Sequence, residues 1–243
     1  MSSEKPQVES VWTRPRKRRD QPALTREHIV AEAVALLDAE GMEALTMRQL
    51  GTRLNAGATS LYRHVANRDE LIELVVDEVY GEITVPGIAA PAQWREATVR
   101  FAGDLRAMVL RHPWMAGTLS QVGLSHLGPN VTRMTDRMLA LFRAGGFTAA
   151  EVGDAISALS SYVVGSSVSE AAWLTTLARS GRSEADMLAA LRPAVEQAAA
   201  DFPRLTEDLA TTTWTEDPAE IRDRKFTYGL DRLLDGLDPR RTP

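Results

Sequence analysis

The sequence predicts an all-α protein in which a small N-terminal helical unit with a tight internal turn is joined by a long fourth helix to a larger helical part. Three observations lead to that fold class. Apolar residues recur at helical spacing along most of the 243 residues, and there is neither a strand-period segment of any length nor an internal repeat. Pairs of a Ser, Thr or Asn followed three residues later by Glu or Gln stand ahead of several of these stripes, and Gly or Pro punctuates them. The hydrophobic fraction of 44% and charged fraction of 25% are those of an ordinary globular chain with room for a small domain and a larger one.

The elements follow in order. Residues 1–22 contain the run Arg14, Arg16, Lys17, Arg18 and Arg19 with Pro15 and Pro22, a composition that cannot bury a core and reads as a flexible basic arm, either solvated or touching phosphate. Thr25 opens a first helix through Ile29, Ala33, Leu36 and Leu37, and Gly41 stops it. Thr46 with Gln49 caps a short second helix carrying Leu50 and Leu54, which ends at Asn55, a residue tolerant of the left-handed conformation that a tight turn needs. A third short helix is expected from Ala58 to about Val65. Asn67 with Glu70 then caps a long fourth helix striped by Ile72, Val75, Val76, Val79 and Ile83. Val85, Pro86, Gly87 and Pro91 break the pattern. Beyond them, Pro91 leads a stripe of Trp94, Ala97, Phe101, Leu105 and Met108 that His112 and Pro113 stop, and Pro129 starts another through Met138 and Phe142 to Gly145 and Gly146. Thr148 with Glu151 caps a helix whose middle, 157–169, is rich in Ser, Ala and Gly, and Asp217, Pro218 and Glu220 start the last helix. The stretch 202–215 is expected to be loosely ordered. The domains are therefore the arm 1–22, the small helical unit 23–70 and the larger part 71–243.

Composition narrows the function. Cysteine is absent, which excludes disulfides, thiolate nucleophiles and Cys-ligated zinc, and four dispersed His leave little for a metal site, so neither metal nor cofactor is expected. No apolar run approaches the roughly 18 residues of a spanning helix, and no signal peptide is apparent, so no membrane partner and a cytoplasmic location are expected. The net charge of −5 is unevenly spread: the first 68 residues hold 11 basic and 8 acidic side chains, the remainder 17 and 25. Positive charge is concentrated at the end that carries the tight turn. G-x-S-x-G, H-E-x-x-H, P-loop and dinucleotide fingerprints are all missing, so no catalytic constellation supports an enzyme.

The segment Leu45–Thr46–Met47–Arg48–Gln49–Leu50–Gly51 through Ala58–Thr59–Ser60–Leu61–Tyr62–Arg63–His64–Val65 has the size and turn of a helix-turn-helix, whose second helix enters the major groove of DNA. Helical geometry lets Leu61 and Val65 face the core while Thr59, Ser60, Tyr62 and Arg63 stay outside. That small, polar, acid-free face suits close approach to phosphates and base edges. Tyr62 and His64 read alternatively as packing residues, Thr25 as a cap, and Arg48 and Arg68 as solvated charges.

These motifs, with "LTMRQLG", "TSLYRHV" and "NRDEL" in gapless order between Thr25 and Ile83, resemble the N-terminal domain of the tetracycline-repressor (TetR) family of bacterial transcriptional regulators. The resemblance implies that Thr25, Arg48, Ala58, Thr59, Ser60, Tyr62, Arg63, His64 and Arg68 form the DNA-binding set, with Arg48 reaching a base and Arg68, where Lys is more usual, holding phosphate. "FTYGLDRLLDGL" at 226–237 is similar to the terminal helix of the tetracycline repressors themselves, which implies a dimer built from the eighth and last helices. Its candidates are Ile156, Leu159, Val163, Phe226, Leu230, Leu233 and Leu234. From the residues alone these stripes are equally intramolecular core. A small-molecule effector is implied as well, and the aromatic and Met side chains of the middle helices are its candidate lining: Phe101, Met108, His112, Trp114, Met115, Met134, Met138, Phe142, Tyr162 and Trp173. His112 and His126 lie in the region where the tetracycline repressors hold a Mg²⁺ chelate, but the surrounding motif is not preserved, and neither metal nor drug is carried over. The expected protein is a ligand-responsive regulator, most simply a repressor that binds a pseudo-palindromic double-stranded operator as a homodimer. The alternatives are an architectural or non-inducible DNA-binding protein and a helical enzyme of unknown reaction.

Overall fold

Thr25 starts the first helix by accepting the amide of His28 on Oγ1 at 3.2 Å, and α1 (Arg26–Glu40) runs to Gly41, whose φ of +79° and ψ of −179° lie where only glycine is at ease. The computed structural model describes residues 24–122, 128–211 and 217–238, with the backbone alone at 58 and 119–122; the basic run at 14–19 and His126 lie outside them. All regular structure among the described residues is helical.

Helix α2 (Met47–Arg53) is capped by Thr46, whose Oγ1 accepts the Gln49 amide at 3.1 Å. Only half of the expected capping box forms, because the Gln49 side chain donates to Glu40 Oε2 at 2.7 Å instead of accepting from Thr46. Asn55 takes φ +48°, and the four residues 54–57 separate α2 from α3 (Ala58–Leu61). Helix α3 is shorter than the sequence suggests: past Leu61 the chain tightens, with the amides of His64 and Val65 both returning to the Leu61 carbonyl, at 2.9 and 3.1 Å. Asn67 then caps α4 (Arg68–Tyr80), accepting the Glu70 amide at 2.8 Å. Ile29, Ala33, Leu36, Leu45, Leu50, Leu61, Leu71 and Val75, none more than 1% exposed, make the core of this small unit.

Helix α4 packs on α1 and also on α7 (Pro129–Ala144), the larger part being completed by α5 (Trp94–Arg111), α6 (Met115–Val122), α8 (Glu151–Ser180), α9 (Glu184–Ala199), α10 (Pro203–Thr211) and α11 (Pro218–Leu237). The 30-residue α8 buries Ala155, Leu159, Val163, Ser167 and Ala171, one residue in four, and lies along α5. The small members of that row permit the close approach that a Ser- and Ala-rich face predicts. Helix α11 lies across α8, where the Tyr162 hydroxyl donates to the Phe226 carbonyl at 2.7 Å and a Cβ on Gly229 would strike the Tyr162 ring.

Two expectations are corrected here. The stretch 202–215 is not loosely ordered as far as Thr211: Pro203 occupies the first position of α10, and Thr206 ties it to α9 by donating Oγ1 to the Ala199 carbonyl at 2.9 Å. Among the dimer candidates, Leu159, Val163, Phe226, Leu230 and Leu234 are buried inside one subunit in the α5–α8–α11 core, because their stripes face each other within the chain. Ile156 and Leu233 alone of the seven are partly exposed.

The N-terminus of α7 is capped from another helix. The buried Asp77 of α4 accepts the amides of Asn130 and Val131 on Oδ1, each at 3.0 Å, and Asn130 Nδ2 returns a bond to the Asp77 carbonyl at 3.0 Å. Asp77→Ala should therefore cost about 1–2 kcal/mol, as loss of an N-cap does, and Asp77→Asn clearly less; urea midpoints of the two variants compare them.

Candidate nucleic-acid interface and effector region

The core residues Met47, Leu50 and Leu61 fix the roll of α2 and α3 and thereby turn Arg48, Thr59, Ser60, Tyr62 and Arg63 to solvent. Tyr62 is 52% exposed, an unusual state for a large aromatic ring and one suited to a ligand surface. The side chains of Arg48 and Arg63 make no ion pair or hydrogen bond within the described residues, and no acidic side chain lies between Leu54 and Asn67. Other arginines of the unit are spent: Arg53 pairs with Glu32 at 2.6 Å, and Arg26 Nε donates to the His64 carbonyl at 3.1 Å. The side chain of Ala58 lies outside the description, and His64 is half-buried.

Thr25 acts as a cap, yet its hydroxyl proton remains available to a phosphate, since a hydroxyl both donates and accepts. Arg68 departs from expectation. Its Nε donates to the Leu45 carbonyl at 2.8 Å and its Nη2 to Met42 at 3.2 Å, so the guanidinium clamps the loop between α1 and α2 and does not present the free fork of a bidentate phosphate contact. Arg26, which holds the end of the recognition turn, was not singled out by the sequence; its partner is a backbone carbonyl 38 residues away, which no motif announces.

The effector candidates are scattered among three roles. Phe101, Met108, Met115, Met138 and Phe142 are at most 2% exposed in the core, and Met134 is half-buried on α7. Tyr162 and Trp173 anchor α8, the former on α11 and the latter through Nε1 to Glu184 Oε1 at the start of α9, 2.5 Å away. His112 and Trp114 lie at the junction with the small unit. There Asp38 of α1 receives Trp114 Nε1 and faces His112 Nδ1, both at 2.7 Å on Oδ1, while His112 Nε2 faces Glu82 Oε1 at 3.0 Å. Both His112 contacts are hydrogen bonds only if each ring nitrogen carries hydrogen or one carboxyl is protonated. Burial alone would raise the Glu82 carboxyl, but hydrogen bonds from Arg111 and His112, with their charges, outweigh it and hold it below the usual carboxylate range.

Residues 29–75 match the family of bacterial regulatory proteins of the tetR family, and residues 87–241 the Tetracyclin repressor-like, C-terminal domain. The chain belongs to the TetR family. An HTH-type transcriptional regulator of Saccharopolyspora erythraea is 39% identical over 197 residues, covering 81% of this chain and 80% of that protein. The HTH-type transcriptional repressor DrrR1 of Streptomyces coeruleorubidus is 33% identical over 237 residues, covering 95% and 84%. Among solved structures, the Streptomyces coelicolor TetR family protein ActR in complex with actinorhodin aligns with TM-score 0.71 at 34% identity, over 88% of this chain and 95% of that one.

The chain is thus a TetR-family transcriptional regulator, in which α2, α3 and the turn that follows present an exposed basic and hydroxyl-bearing surface, and the junction of Asp38, Glu82, His112 and Trp114 ties the small unit to the larger domain. Two outcomes follow from the geometry. Arg68→Ala should lower the thermal midpoint, because two carbonyls of the α1–α2 loop lose their donor, whereas the exposed Arg48→Ala should leave it nearly unchanged; differential scanning calorimetry separates them. Glu82 has a lower pKa folded than unfolded, so its contribution to stability is present above the usual carboxylate value of 4.5 and is lost as the pH falls through the folded pKa. Glu82→Gln should accordingly lower stability near neutrality and converge with the wild type at low pH, which flattens the acid limb of a denaturation profile.

Proposed function

We propose that the protein is a ligand-responsive repressor that binds a pseudo-palindromic operator as a homodimer and leaves it when a small apolar or aromatic molecule occupies the larger domain. The unpaired side chains of Arg48 and Arg63 around the exposed Tyr62 carry the reading: an uncompensated basic, hydroxyl-bearing patch spread over α2, α3 and the turn after α3 is complementary to a major groove and its phosphates. The family relation supports repression, DrrR1 being a repressor, and ActR holding actinorhodin supports an aromatic effector class. In this reading 23–70 is the reading head, 71–243 the effector and dimerisation domain, and the basic residues 1–22 an arm.

The dimer surface is revised from the buried stripes to what they leave uncovered. Ile156, Val164 and Val168 on α8 are partly exposed, the neighbouring Ser157, Ser161 and Gly165 are small and exposed, and Leu233 and Leu237 of α11 are partly exposed. Two such faces brought together would bury a four-helix seam, and half-sites would then stand about one DNA turn apart or slightly more. Val164→Arg with Leu233→Arg should give a folded monomer with greatly weakened operator binding, while Leu230→Arg should unfold the subunit; sedimentation and circular dichroism tell these apart.

Operator titration at several salt concentrations tests the DNA reading. Arg63→Ala should weaken binding to specific and random duplexes alike and reduce the salt slope by about one unit if it meets phosphate, while Arg48→Ala should cost about 1–3 kcal/mol and relax discrimination at one base pair. Equal binding of the wild type and both variants to random DNA and to its own promoter region would remove the regulator reading from this surface.

A further inference from the structure

A cleft of about 640 Å³ opens where the end of α1 meets α5 and the last turns of α8, away from the recognition turn and between the reading head and the larger domain. That volume is within the range of small-molecule sites, which favour domain boundaries. Its walls include Leu37, Met42, Leu110, Trp114 and Leu174, an apolar and partly aromatic lining. Three charged side chains reach it, and their states differ. Asp38 is already engaged by His112 and Trp114, each at 2.7 Å, and Glu40 by Gln49 Nε2 at 2.7 Å with Arg53 at 3.6 Å. Arg179 is exposed and makes no ion pair or hydrogen bond within the described residues.

We propose that this interdomain cleft is a ligand site in its own right, apart from any effector held within the larger domain as proposed above, and that it takes an amphipathic aromatic anion such as an aryl carboxylate, sulfonate or phenolate. The ring system lies along the Trp114 wall, and the anionic group meets the Arg179 guanidinium, the one cation on the lining that no protein carboxylate neutralises. A cationic ligand is disfavoured because both acids on the wall already have donors, so a new cation would have to share or displace them. The occupant touches α1 of the reading head and α8 of the larger domain together, beside the Asp38 junction. Its binding is therefore linked to the relative placement of the two and, by reciprocity, to DNA affinity.

The probe for the test is 1-anilinonaphthalene-8-sulfonate, titrated by fluorescence into the full-length protein, with Arg179→Glu, Arg179→Lys and Arg137→Glu beside the wild type. Arg137 lines another apolar cleft, with Val85, Ile88 and Leu141, and it too is exposed and unpaired, so it controls for general surface charge. The expected result is a site of one probe per chain whose affinity falls by about tenfold or more in Arg179→Glu, the scale of a lost charge-assisted hydrogen bond. Arg179→Lys should restore most of it, and Arg137→Glu should leave it unchanged. Operator DNA should shift the affinity of this site in the wild type. Probe binding that is absent from the wild type, is indifferent to Arg179→Glu, or is lost instead in Arg137→Glu would overturn the proposal, and none of those results bears on whether the helix-turn-helix binds an operator.

Discussion

One carboxylate belongs to two domains at once. Asp77 projects from α4, which closes the small bundle by packing on α1, and it satisfies the first amides of α7, which belongs to the larger domain. Those amides have no intrahelical acceptor, and the positive end of the helix favours an anion there, so α7 is completed by a residue about fifty positions earlier in the chain. The buried hydrophobic cluster is continuous across the same joint, from Ile29 through Val75 and Val79 to Trp94 and Leu234. The reading head therefore has no free hinge at α4. A displacement of α7 or of the end of α5 must either carry α4 with it or break a buried cap, and this makes α4 a mechanical link.

The second tie, at Asp38, works differently. Asp77 is held by backbone amides, whereas Asp38 and Glu82 are held by side chains of the His112 turn, which can be rearranged by rotamer changes without unwinding a helix. One joint is stiff and the other is adjustable. Together they supply a rigid arm and a contact with more than one arrangement, the parts from which a two-state element is built.

What the sequence disclosed and what it withheld divide by range of interaction. Thr25, Thr46, Asn55 and Asn67 act on residues within a few positions, so capping and turn chemistry identified the helix-turn-helix without any tertiary knowledge. The contacts of Arg68 were hidden for the complementary reason: its acceptors are the carbonyls of Leu45 and Met42, more than twenty residues upstream, and a guanidinium facing carbonyls leaves no trace in a motif. Periodicity revealed which faces of α8 and α11 are buried but could not say against what, so Leu230 and Leu233 looked equivalent, although one lies in the core and the other is half-exposed. The same residue types fill a core, so Phe101, Met108, Met115, Met138 and Phe142 lie in it, while Trp114 lines a cleft. Pro203, an ordinary helix start, was hidden by the polar sequence after it, which has too little apolar patterning to signal α10.

Charge completes the account of how a protein of net charge −5 can approach a polyanion. In the larger domain, Arg106 and Arg222 are neutralised internally: Arg106 pairs with Glu170 at 2.8 Å and Asp223 at 2.7 Å, and Arg222 joins Glu170 at 3.1 Å and Glu184. These pairs hold α5, α8, α9 and α11 together and contribute almost nothing to the outward field. In the small unit Arg26, Arg53 and Arg68 have partners too, but the side chains of Arg48 and Arg63 are left without them, next to a turn that carries no acid. At physiological ionic strength, screening confines each exposed charge to a neighbourhood of about 8 Å, so a polyanion brought to that surface would meet the local arginines and not the acidic total. Folding thus sharpens the uneven charge locally, by leaving Arg48 and Arg63 unpaired next to a turn without acids while Arg106 and Arg222 are held in carboxylate clusters.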